Sequence, residues 1–156
     1  MSYASTDDIQ ARFLPDDLIA ITDPKNQAIN LIVLQTALDD ASAEIDGYLG
    51  VRYILPLVSA TLGTPLATPQ VLIRACCDIA VYSLQTLRPK DDVQDAKTRY
   101  EGWLRMLRLM SKGDVQITDG KLLEGQATFP PDVSQSPGET LITSVRHADT
   151  FGRRNR

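Results

Sequence analysis

The chain holds one histidine, His147, among its 156 residues. It has no Cys-x-x-Cys, no His-rich zinc spacing, no Gly-x-Gly-x-x-Gly and no Gly-x-x-x-x-Gly-Lys loop. A Gly-x-Ser-x-Gly elbow is also missing. Each motif exists because its chemistry needs thiolate or imidazole ligands, or glycines that let backbone amides approach phosphate, or a strained nucleophile turn. Their absence excludes the usual zinc, nucleotide and elbow-hydrolase sites. His147 stands in a polar tail, so a triad built on it would need that tail ordered. The sequence predicts no enzyme, no metal site and no cofactor.

Other shortages narrow the class further. The two cysteines, Cys76 and Cys77, are adjacent. On a helix they point about 100° apart and cannot form an ordinary disulfide. They read as two small buried residues. The opening MSYASTDD is polar and acidic rather than a hydrophobic leader, so a reducing compartment is expected. No apolar run approaches the roughly 18 residues that span a bilayer, so no membrane is expected. Positive charge is short: the net charge is −4, which argues against tight general DNA binding. It leaves room for a protein that surrounds DNA without gripping it. Apolar content of 43% and this length fit one domain with its own core.

What is present is helical. Ser5 or Thr6 can cap a short helix carrying Asp7 and Asp8 in its first turn, with Ile9, Phe13 and Ala4 inward. Pro15 starts a second, PDDLIAIT, stopped at Thr22-Asp23-Pro24. A long helix is expected from about Asn26 to about Leu49. Leu31, Leu34, Leu38, Ala41, Ile45 and Tyr48 recur along it at spacings of three and four. Asp39, Asp40, Glu44 and Asp46 sit mostly off that stripe. They suit a metal or acid–base site less than a solvated face, because no histidine or glycine-rich ligand loop accompanies them.

Gly47 and Gly50 can end or bend this helix. The next segment is aromatic and apolar, yet it holds Arg52 between Tyr48 and Tyr53. Arg52 can pair with Asp46, stack, or reach a neighbouring chain. Val58 to Thr68 reads as a loop. Thr68-Pro69 then opens a helix to about Leu87 that is apolar nearly all round and should be the central one. Arg74 and Asp78 are four apart on it and can pair as a structural or intersubunit ion pair. A last helix from Asp91 or Asp92 to about Lys112 carries Val93, Ala96, Tyr100, Trp103, Leu107 and Met110 on its core stripe. Lys97, Arg99, Arg105 and Arg108 lie off it, as a solvated face or one complementary to an acidic neighbour; contact with DNA is the alternative.

Composition changes at Gly113. Val115-Gln116-Ile117 and Lys121-Leu122-Leu123 are candidate strands of a hairpin around Asp119-Gly120, and Thr140 to Val145 is another short strand. The end, Phe151-Gly152-Arg153-Arg154-Asn155-Arg156, is basic and cannot build a core. It is expected to lie on another copy or a partner. The expected fold is all-α. It is a small bundle of two short and three long helices over residues 1–112, with an extended C-terminal arm over 113–156.

One pattern runs through most of the chain. Tyr3-Ala4 is followed by Asp8-Ile9, Arg12-Phe13 and Ile21-Thr22-Asp23. Ile45 to Leu49, Arg52-Tyr53 and Leu55 to Leu57 come next, then Ala75 to Ala80 and Arg99 to Glu101. In order and spacing these residues resemble the Mu-like phage and prophage proteins of the head and tail gene region. The match covers about residues 3 to 113. That family looks similar to the helical head–tail connector (adaptor, head-completion) proteins of tailed phages. The resemblance implies a virion protein of the neck, made in the host cytoplasm. It implies a ring, usually of twelve copies, that sits beneath the portal, extends the DNA channel and receives the tail-completion or tail-terminator proteins. On this reading Arg52, Tyr53, Arg74, Arg99, Arg105 and Arg108 are expected at ring contacts. Phe151, Arg153, Arg154 and Arg156 are expected to dock on the portal. A tail-completion or tail-terminator protein at the same joint is the alternative, and a small helical DNA-binding regulator a further one.

Overall fold

A computed structural model describes residues 2–23, 25, 28–87 and 93–125. Five helices occur in order: α1 Thr6–Gln10, α2 Pro15–Thr22, α3 Leu31–Leu49, α4 Gln70–Leu87 and α5 Val93–Lys112. The fold is all-α, as expected. Among the described residues, strand pairing is limited to isolated bridges.

The short helices start where their caps predict. Ser5 and Asp8 form a reciprocal capping box: Asp8 N–H donates to Ser5 Oγ at 3.2 Å and Ser5 N–H to Asp8 Oδ2 at 2.9 Å. This satisfies two amides that the helix itself leaves unpaired. Pro15 opens α2. α3 begins at Leu31, later than the expected Asn26. The side chain of Asn30 accepts from the Ile32 and Val33 amides, both at 3.2 Å, and that cap sets the start. Leu31, expected on the buried stripe, is therefore the first helical residue and stands 53% exposed. The helix also runs straight through Gly47 to Leu49.

α4 is the centre. It packs against both α3 and α5, which meet each other less extensively, while α1 lies on α3 and α4 and α2 on α4. Ala75 to Val81 are buried without a break, as a helix that is apolar all round requires. Facing it, α3 buries Leu34, Leu38, Ala41, Ile45 and Leu49, and α5 buries Ala96, Leu107 and Met110. Each fully buried leucine or isoleucine contributes about 1.5–3 kcal/mol. Cys76 and Cys77 are free and buried, the small core residues the sequence suggests.

The expected hairpin around Asp119-Gly120 does not form. Tyr53 bridges to Leu122 and Ser59 to Gly120, so this segment pairs with the stretch after α3 instead. Ile54 N–H donates to the Lys121 carbonyl at 3.0 Å, Leu123 N–H to the Arg52 carbonyl at 2.8 Å and Lys121 N–H to the Val58 carbonyl at 2.8 Å. Ile117 is buried with the core, and Val115 and Leu122 pack on it. Residues 113–125 are thus stitched to the helices. The expected strand Thr140 to Val145 and the terminal residues Phe151, Arg153, Arg154 and Arg156 lie outside the described residues.

Candidate functional site

The stretch after α3 is an internal latch. Tyr53 is 1% exposed, and its hydroxyl accepts the Ile117 N–H at 2.9 Å. Arg52 is 6% exposed, and its guanidinium lies where a Cβ on Gly113 would stand. The resemblance puts both residues at contacts with a neighbour. Their side chains instead face the subunit's own interior and hold the segment after α5. The physical reason is local: α3 ends at Leu49, and Arg52 and Tyr53 N–H donate to the Leu49 carbonyl at 2.9 and 2.8 Å, which turns the chain back onto the bundle.

Asp119 closes the other end of that latch. Its backbone is left-handed, with φ 59°, and its carbonyl accepts the Ala60 N–H at 2.8 Å. Its carboxylate accepts from Ser59 Oγ and, at 2.7 and 3.0 Å, from Thr61 Oγ1 and N–H. The Ser59 hydroxyl bond, then that of Thr61, holds its carboxyl below the ordinary aspartate range.

Asp78 is the polar node between α4 and α5. It is 8% exposed and lies 3.9 Å from Arg74 and 3.6 Å from Arg99. Trp103 Nε1–H donates to it at 2.7 Å. The Arg74–Asp78 pairing is the one the spacing predicts. The contributions of Arg99 and Trp103 come from another helix, and no local signal reports them. Arg74 is 66% exposed and so presents most of its length outward. Arg99 also pairs with Asp95, one turn earlier on α5.

The acidic residues of α3 are only in part a solvated face. Asp39 and Asp40 are exposed. Glu44 accepts the Tyr100 hydroxyl at 2.8 Å, and Asp46 accepts that of Tyr3. Tyr100 stacks on Tyr82 with ring centroids 4.4 Å apart. Burial, reinforced by the Glu44 bond, pushes the Tyr100 phenol up to about 12. Burial also raises the Cys76 thiol and pushes the Cys77 thiol up to about 12, so neither is a ready thiolate nucleophile. No group of residues able to hold a metal ion occurs among the described residues. Nor is any described helix long and apolar enough to cross a membrane.

What the surface does offer is a basic stripe and an apolar groove. On α5, Arg105, Arg108 and Lys112 are exposed at spacings of three and four. Among the described residues none of the three is paired with a carboxylate, whereas Lys97 is within 3.9 Å of Glu101. The groove is shallow and is lined by Thr6 of α1 and Leu31, Ile32, Gln35 and Thr36 of α3. Ile32 is 79% exposed there.

Residues 3–128 match the family described as Bacteriophage Mu, Gp36. The chain belongs to that family. It is 29% identical over 161 residues to gene product J of Escherichia phage Mu, an alignment covering 100% of this chain and 98% of the relative. It is 38% identical over 94 residues to the Mu-like prophage FluMu protein gp36 of Haemophilus influenzae, covering 60% of this chain and 59% of that protein. The chain is thus a Mu-like phage protein. The family match reaches to residue 128, past the helices and across the latch segment that folds back on Tyr53.

Proposed function

We propose that this chain is a structural virion protein, a subunit of the head–tail connector of a tailed phage. In this role copies form a ring, expected to hold twelve, beneath the portal. The ring extends the DNA channel and supports tail attachment. The observation that carries the reading is the full-length similarity to a Mu protein, in a chain where Asp78, Glu44, Asp46 and Asp119 each hold a neighbouring segment in place. An architectural subunit needs such internal bracing and carries no reactive centre. The net charge of −4 suits a channel wall, since it offers few grips to the phosphates of passing DNA. Of the arginines expected at ring contacts, Arg74, Arg105 and Arg108 remain for neighbours, with Arg99 engaged inside. Phe151, Arg153, Arg154 and Arg156 are proposed as portal contacts.

The test is an image of the neck of the corresponding phage particle with this protein labelled. Label on a ring between portal and tail is the expected outcome. Label at the tail end of the joint would replace the reading with a tail-completion role. Duplex binding at nanomolar strength by the purified chain would replace it with a DNA-binding one.

A further inference from the structure

In a connector ring copies of the chain meet, and the stripe and the groove are surfaces on which they can do so; the contact proposed between them rests on the connector reading. We propose that the groove at the start of α3 receives the basic stripe of α5 from a second copy of this chain. The groove presents Leu31 and Ile32 at 53% and 79% exposure. Two carboxylates accompany its lining residues. Asp7 adjoins the lining residue Thr6, and Asp39 accepts from the lining residue Gln35 at 3.1 Å. Both carboxylates are exposed.

The α5 stripe fits this groove in length and in chemistry. Ile32 to Asp39 and Arg105 to Lys112 each span seven residue steps, about 10 Å of helix. Arginine can lay its methylene stem on apolar surface while its head stays with a charge. Arg105 and Arg108 can therefore cover Leu31 and Ile32 with their stems and reach Asp7 and Asp39 with their guanidinium groups. Fork-shaped donors suit carboxylates, and pairs at a desolvated apolar floor are stronger than the same pairs in water. Lys112 extends the stripe beyond the second arginine. The groove and the stripe are different patches of one chain. The contact is therefore head to tail, the type that closes into a ring when the rotation permits.

A charge swap tests this. One variant carries Arg105→Glu and Arg108→Glu; the other carries Asp7→Lys and Asp39→Lys. Circular dichroism establishes that both are folded. Each variant alone should enter phage particles at about a tenth of the wild-type level or less, since like charges then face each other at every contact. Produced together, they should alternate, and incorporation should return. Rescue by mixing is an outcome that a merely misfolded variant cannot give. Normal incorporation of either variant alone, or no rescue on mixing, overturns the proposal while leaving the connector reading in place. Absence of the wild-type protein from particles overturns the connector reading instead. Sedimentation of the concentrated purified chains then decides the contact. Wild-type association that is lost in each variant and restored in the mixture supports it, and any other pattern overturns it.

Discussion

The hydroxyl of Tyr53 accepts the backbone N–H of Ile117 across a sequence separation of 64 residues, at 2.9 Å and out of contact with water. This bond is one of several that join the turn after α3 to the segment after α5. Substituting Tyr53→Phe keeps the ring and removes the acceptor. A buried amide left unpaired costs about 1–3 kcal/mol. Urea denaturation should show a loss of that size with an unchanged slope. Hydrogen exchange at the Ile117 amide should quicken more than at amides inside α4. An Ile117 amide as protected as before would mean that the bond does not hold the latch.

Asp78 supports a ranked prediction. Asp78→Ala orphans the Trp103 indole N–H and both arginine contacts, and should cost about 2–3 kcal/mol, mostly from the indole. Arg74→Ala removes an arginine that is 66% exposed at 3.9 Å. Surface pairs of that kind contribute about 0–1 kcal/mol. Arg99→Ala should fall between the two, because Arg99 is less exposed and touches Asp78 from the facing helix. Thermal melts and Trp103 fluorescence read the series. Equal losses for all three would show that the node acts only through charge.

The helices were legible because their signals are local. Ser5, Pro15 and Thr68-Pro69 announce helix starts, and the three-and-four spacing from Leu34 to Leu49 shows the inward face. The late start of α3 was legible only in part: two asparagines, Asn26 and Asn30, stand ahead of the apolar stripe, and nothing local says which side chain turns back to cap. The hairpin expectation failed for a different reason. Asp119-Gly120 does mark a turn, and Asp119 is left-handed there. A turn signal does not choose the partner, however. The hydroxyls of Ser59 and Thr61, 60 and 58 residues away, bind the Asp119 carboxylate and draw the segment onto the stretch after α3. Arg52 and Tyr53 are a related case. An arginine between tyrosines can pair locally, stack or reach a neighbour, and only the tertiary position of Gly113 and Ile117 shows that both side chains turn inward.

Tyr100 gives the chain an alkaline sensitivity whose sign follows from its surroundings. Its phenol, held up to about 12 by burial and the Glu44 bond, ionises near 10 in the unfolded chain. The folded state binds this proton more tightly, so its contribution is complete below about pH 10. It is lost as pH rises from there through about 12. Stability should therefore fall across that window. Tyr100→Phe should flatten the fall at the cost of some stability near neutrality. Denaturation midpoints at a series of alkaline pH values measure both. An equally steep fall in the variant would assign the effect to another phenol, Tyr3 first, which burial and the Asp46 bond also raise.

Two glycines near helix ends should respond to alanine with opposite signs. Gly47 lies inside α3 at an exposed position, and a Cβ there would meet nothing within 4 Å. Gly47→Ala should stabilise by about 0.5–1 kcal/mol, because alanine loses less backbone freedom on entering a helix. Gly113 ends α5 with φ +92°, and its amide donates to the Leu109 carbonyl at 3.0 Å. Alanine in a left-handed conformation costs about 1–2 kcal/mol before any contact is considered. A Cβ at Gly113 would in addition collide with the buried Arg52 guanidinium. Gly113→Ala should thus destabilise by more than the backbone term alone. The excess should vanish when Arg52 is shortened in the same chain, so that Gly113→Ala costs less in an Arg52→Ala background than in the wild type. A double-mutant cycle on denaturation free energies measures that coupling. A zero coupling would mean that Arg52 moves aside freely and does not fasten the segment after α5.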